Sequence, residues 1–130
     1  MDRLAIEGGE PASPRWIPIS KPLIGDEEIN EVARVLRSGQ LREGKLTQRF
    51  EEEFKRKCGS KHAIAVNSGT AALHLAMMAM IKPGDEVIVP SFTFIASANS
   101  ILLSGGRPVF ADIDEKTFTI APNDVLEKIT

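Results

Sequence analysis

One cysteine, one tryptophan and no tyrosine stand among 130 residues. The lone thiol, Cys58, excludes an internal disulfide framework and fits a reducing compartment. Charge of one sign is also missing: sixteen Lys and Arg against eighteen Asp and Glu leave a net −2. With no basic run and no interleaving of basic and aromatic residues, nucleic acid is not an expected partner. Long apolar runs are absent too. The longest, Ala71 to Ile81, is interrupted by His74; it is too short for a bilayer and suits a buried helix. The N-terminus, MDRLAIEGGEPASPRW, lacks the apolar core of a secretory signal. The expected setting is cytoplasmic, with no membrane partner. What is present, 42% hydrophobic and 26% charged residues, is the balance of a globular domain, and the length suffices for one core.

Four of the eight prolines fall within residues 1–23, which show no sustained period and read as an extended N-terminal arm. Trp16, Ile17 and Ile19 on that arm are expected to find cover, since their side chains gain from burial. From residue 24 the chain reads as one α/β unit. Gly25-Asp26-Glu27-Glu28 opens a helix whose acidic first turn suits the helix dipole; Ile29, Val32, Ala33 and Leu36 form its apolar face, and Ser38-Gly39 ends it. Thr47 is the expected N-cap of a second helix that buries Phe50 and Phe54 and stops at Gly59. His62 to Val66 then reads as a strand, followed by a helix to about Ile81, a turn at Lys82–Asp85 and a strand at Glu86–Val89. A helix with Ile95, Ala98, Asn99 and Leu102 at helical spacing follows, closed by Gly105-Gly106. Val109–Ala111 is a third strand, and Asn123 or Asp124 caps a last helix. Strand, helix, strand, helix, strand implies a mainly parallel sheet with flanking helices.

In such a sheet, ligands gather at the carboxyl ends of strands beside helix N-termini. Two loops lie there. Asn67-Ser68-Gly69-Thr70 suits a phosphate: Gly69 permits close backbone approach, Ser68 and Thr70 carry hydroxyls, and the N–H groups of Thr70 and Ala71 open the helix. No lysine follows at the spacing of a nucleotide-binding P-loop and there is no GxGxxG, which disfavours ATP and dinucleotides. The second loop, Ser91-Phe92-Thr93-Phe94, offers Phe92 or Phe94 to the face of a flat ring. Each feature has a plainer reading. A Ser/Gly/Thr helix start is more often an ordinary cap, an aromatic opening a helix is usually core, and His74 reads as a packed histidine. Cys58 reads as structural. Asp112 and Asp114 could hold a metal, but a turn is their expected role, and no metal site is expected.

The order of segments is more specific than any one of them. The series IPISKPLIGDEEINEVARVLRSGQL, FEEEF, NSGTAALHLA, GDEVIVPSFTFIASANSIL and PVFADID resembles the sugar aminotransferases of the DegT/DnrJ/EryC1/StrS family from about Ile17 onward. That resemblance implies the large α/β domain of a fold-type-I enzyme using pyridoxal 5′-phosphate (PLP). It implies transfer of an amino group, commonly from glutamate, to a keto sugar carried on a nucleotide, in cell-surface polysaccharide or deoxyaminosugar synthesis. Gly69, Thr70 and Ala71, with Ser68 adjacent, match the part of the family motif that holds the cofactor phosphate. Phe94 matches the aromatic that stacks on the pyridine ring.

The resemblance also implies what these residues lack. The family's Schiff-base lysine and its pyridinium-pairing aspartate lie downstream of PVFADID, and the eight lysines present all fall outside the lysine motif. Residues 24–130 are therefore expected to be the N-terminal part of the PLP-binding large domain, truncated, inactive alone and at most a weak PLP binder. Uncovered apolar edges and faces imply self-association, as a homodimer or a larger species. A related PLP-dependent sugar dehydratase, with histidine in place of the lysine, fits the same residues. So does a non-catalytic α/β remnant serving as a small binding or assembly module.

Overall fold

The computed structural model describes residues 3–130. The chain divides into two units, Met1–Gly44 and Lys45–Thr130. The first holds a short 3-10 turn, Ala5–Glu7, and helix α1, Asp26–Ser38. α1 starts and stops where its sequence signals lie. The Glu28 carboxylate reaches back to accept the Gly25 N–H at 2.7 Å, closing the first turn, and Gly39 ends the helix at φ 70°, a left-handed conformation that glycine adopts without penalty. Its apolar face, with Ile24 beside it, lines a shallow groove of about 390 Å³. The arm departs from expectation: Trp16 is 89% exposed, and Ile17 and Ile19 are exposed as well.

The second unit runs α2 (Lys45–Cys58), α3 (Gly69–Met80), β1 (Glu86–Pro90), α4 (Ala96–Leu103), β2 (Arg107–Ala111) and α5 (Pro122–Glu127). It is an α/β arrangement with a parallel sheet and flanking helices, as the sequence implies. β1 and β2 pair in register from Glu86↔Arg107 to Pro90↔Ala111, with α4 as the crossover. The first pair is also an ion pair, Arg107 to Glu86. Ser91 N–H extends the ladder to the Ala111 carbonyl at 2.8 Å.

Among the described residues, the buried side chains all belong to this β1–α4–β2 unit: Val89, Ala96, Ala98, Ser100, Ile101 and Ala111. Ser100 is tolerated there because its hydroxyl donates to the Ala96 carbonyl at 2.7 Å. Gly106 is buried under them. A Cβ on it would stand 2.7 Å from Ile81 Cδ1 and 3.0 Å from Ile101 Cγ2, so any side chain there forces its neighbours to shift. α3 packs on α4, and its half-buried residues, Ala71, His74 and Met77, share one face.

Several local expectations are corrected. Residues 62–66 form no strand, because no neighbouring strand among the described residues supplies a ladder. The period-two pattern survives all the same: Ala63 and Ala65 are half-buried while His62, Ile64 and Val66 are exposed. α2 begins at Lys45, which puts Thr47 inside the first turn rather than at the cap. Phe50 and Phe54 do meet, with centroids 5.8 Å apart, but they remain half exposed. On α4 the buried face is Ala98 with Ala96, Ser100 and Ile101, whereas Ile95, Asn99 and Leu102 are exposed. α5 starts after Ala121, and Asp124, rather than capping it, accepts the Asp112 N–H at 2.6 Å. Cys58 is exposed at the end of α2.

Candidate functional site

Ser68 precedes the apolar run of α3 and has an extended backbone, φ −160° and ψ 158°. That geometry turns its side chain over the first helical turn, where Oγ accepts the Ala71 N–H at 3.1 Å. The Ala72 N–H goes to the Ser68 carbonyl at 3.1 Å. The N–H groups of Gly69 and Thr70 are left with no acceptor among the described residues. The cap and the anion site thus coexist on different donors. Ser68 satisfies Ala71, and Gly69 with Thr70 stays available, together with the Thr70 hydroxyl. A Cβ on Gly69 would meet no other segment within 4 Å, so no other segment crowds this side of the turn. The N-terminal end of α3 adds its positive helix-dipole end. Two free amides and two hydroxyls at a helix start suit a phosphate group.

The turn at Lys82–Asp85 returns the chain from the end of α3 into β1, held by Asp85 N–H to the Lys82 carbonyl at 3.0 Å. β1 in turn leads into Ser91-Phe92-Thr93-Phe94. The two aromatics of that loop are not equivalent. Phe92 pairs with Phe118, ring centroids 6.0 Å apart, while Phe94 is 75% exposed with no ring partner among the described residues. Thr93 Oγ1 and Ser97 Oγ lie 3.1 Å apart and stiffen the entry to α4 behind Phe94. The structure thus places Ser68, Gly69, Thr70 and Ala71 on the first turn of α3 and Phe94 on the loop that opens α4. The two helices these loops open pack on each other.

The remaining candidates resolve into structural roles. Asp114 is a turn residue: its carboxylate accepts the Lys116 and Thr117 N–H groups at 3.0 and 2.9 Å, and these bonds hold its carboxyl below the ordinary value. Asp112 bonds its own neighbour, Ile113 N–H, at 2.8 Å. His74 is half-buried against α4. Glu51 went unnoticed in the sequence. Its carboxylate accepts the Ala65 N–H at 2.7 Å, a part-buried bond between residues fourteen apart. The only signal was a run of three glutamates, which does not say which of them turns inward.

Comparison with known proteins follows the same residues. The family model of the DegT/DnrJ/EryC1/StrS aminotransferase family matches residues 22–130. Over 108 residues the chain is 56% identical to the spore coat polysaccharide biosynthesis protein SpsC of Bacillus subtilis, covering 82% of this chain and 28% of that protein. Among solved structures, an aminotransferase from Psychrobacter cryohalolentis matches with TM-score 0.76 and 42% identity, over 87% of this chain and 30% of the other. The E. coli GDP-4-keto-6-deoxy-D-mannose-3-dehydratase with bound hydrated PLP matches with TM-score 0.80 and 30% identity, over 87% and 31%. The chain spans less than a third of the length of each of these relatives. PLP is the cofactor of this group of proteins. No helix among the described residues is long and apolar enough to cross a membrane.

Proposed function

Because the chain belongs to the DegT/DnrJ/EryC1/StrS aminotransferase family, we propose that residues 24–130 are the cofactor-phosphate part of a PLP-dependent sugar aminotransferase, with residues 1–23 as an arm leading into it. One observation carries the reading: the first turn of α3 keeps the Gly69 and Thr70 N–H groups without an acceptor among the described residues while Ser68 caps Ala71. These groups fit the phosphate of PLP, and exposed Phe94 fits a face of its ring. When bound, the cofactor supplies an electron sink for amino-group chemistry. The protein's part is to anchor the phosphate by two amides and two hydroxyls, to hold the ring against Phe94, and so to fix the orientation of the reactive end.

In this reading the amino donor is glutamate and the acceptor a keto sugar on a nucleotide, serving polysaccharide synthesis in the cytoplasm. The similarity to SpsC, a spore coat polysaccharide biosynthesis protein, supports the polysaccharide part of that assignment. A PLP-dependent sugar dehydratase is the second reading, since the E. coli enzyme shares the fold at TM-score 0.80 and 30% identity. The higher identities, 56% and 42%, lie with the other two relatives, one of them an aminotransferase, so we put the aminotransferase first. None of the eight lysines matches the family's lysine motif, so these 130 residues by themselves carry out no transamination. Apolar side chains left exposed on α2 and α3, among them Phe54, Leu73 and Met78, support self-association.

The test is a titration of the 130-residue chain with pyridoxamine 5′-phosphate, which has no aldehyde to react with surface lysines. Binding that inorganic phosphate competes away and that pyridoxamine fails to reproduce is the expected result. Binding indifferent to phosphate would overturn the assignment of Ser68–Ala71.

A further inference from the structure

We infer that Glu51 is a positioning residue for the phosphate-binding turn; the inference rests on the function proposed above. Residues 62–66 lead straight into Asn67-Ser68, yet no strand among the described residues holds them in a ladder. What fixes this segment is α2. Phe50, Glu51 and Phe54 face Ala63, Ile64, Ala65 and Val66 across a groove of about 310 Å³ that runs on to Ser68 and Gly69. At its centre the Glu51 carboxylate takes the Ala65 N–H at 2.7 Å. A carboxylate accepting a backbone N–H is among the stronger hydrogen bonds, and Ala65 is half-buried, so losing the acceptor leaves its amide poorly satisfied.

The two neighbouring glutamates do something else. Glu52 pairs with Lys55 at 2.6 Å and Glu53 with Arg49 at 2.7 Å, both within α2 and both substantially exposed. Of three consecutive carboxylates, Glu51 is the one that reaches another segment. Ala65 stands three residues before Ser68. A shift of Ala65 re-aims the Ser68 cap and, with it, the free N–H groups of Gly69 and Thr70. Hydrogen bonds weaken steeply as their angle closes, so small rotations of this turn reduce its grip on an anion.

The experiment measures pyridoxamine 5′-phosphate and inorganic phosphate binding, Ala65 amide exchange, and thermal midpoint for wild type and four variants. Glu51→Ala is expected to speed Ala65 exchange and weaken both ligands about tenfold, the scale of one charge-assisted hydrogen bond. Glu51→Gln keeps an acceptor oxygen at the same reach and is expected to stay within about threefold of wild type. Glu51→Asp, one methylene short, is expected to behave like Glu51→Ala, and Glu52→Gln like wild type. The thermal midpoint reports any general loosening. If wild type binds neither phosphate ligand, the function proposed above fails and this inference with it. If wild type binds and Glu51→Ala or Glu51→Asp binds equally well, the inference alone is overturned. Should Glu51→Ala not fold, the contrast between Gln and Asp decides, and equal binding by those two overturns it.

Discussion

Replacing Gly69 by proline separates the cap from the phosphate cradle. Gly69 is the first residue of α3, the one helical position where proline is favoured, because its missing N–H has no partner inside the helix. Ser68 already has the extended backbone that a residue before proline requires, φ −160° and ψ 158°. A side chain at 69 meets nothing within 4 Å. The Ser68 Oγ bond to Ala71 is untouched. Gly69→Pro therefore leaves the helix intact or stabilises it by about 0.4–1 kcal/mol through the unfolded chain. It deletes one of the two free amides. A hydrogen bond to a charged partner is worth about 1.5–3 kcal/mol, so pyridoxamine 5′-phosphate should bind about 10- to 150-fold more weakly. Isothermal titration gives the affinity, and a circular-dichroism melt gives the stability. Unchanged affinity in Gly69→Pro would refute the cradle; a melt that falls along with the affinity would refute the separation of cradle from cap.

Phe94→Ala should weaken pyridoxamine 5′-phosphate several-fold while leaving inorganic phosphate unchanged, since only the ring meets the aromatic; competition titrations distinguish the two. Gly106→Ala should cost about 1–3 kcal/mol in urea unfolding, because its Cβ would press on Ile101 Cγ2 at 3.0 Å inside the small core. The Asp114 turn gives a pH dependence of known sign. Backbone N–H bonds from Thr117 and Lys116 lower its carboxyl from the ordinary 3.8, so the turn's contribution is present above about pH 4 and is lost as pH falls through the lowered value. Amide exchange at Lys116 and Thr117 should accelerate over that window, and Asp114→Asn should abolish the change.

The ends of elements were legible wherever the chain carries a specific backbone signal. Gly25 and Gly39 bound α1, Ser68 opens α3, and Gly105-Gly106 leads from α4 into β2. Faces were harder to read. The apolar residues of α4 cluster at its C-terminal end and its small residues suit either face, so its spacing fits more than one stripe, and packing against β1 and β2 selects Ala96 and Ile101 over Ile95 and Leu102. Residues 62–66 alternate as a strand does, yet strand status depends on a neighbour and not on the segment itself. The phosphate turn was visible as a pattern, Asn-Ser-Gly-Thr before an apolar run. Its division of labour was not: which amide the Ser68 hydroxyl takes is decided by dihedral angles, and which glutamate turns inward is decided by the docking of α2.

The small core has a consequence for binding. Every buried side chain among the described residues belongs to β1–α4–β2, whereas α3, which carries the phosphate turn, docks on that unit with no buried side chain. The site exists only while α3 is docked. A ligand seated on Gly69 and Thr70 draws on that docking equilibrium, so its apparent affinity is the intrinsic affinity scaled by the docked population. Any second surface that clamps α3 raises the affinity without touching the ligand. Measured binding to this chain is, in that sense, a gauge of how firmly one helix is held.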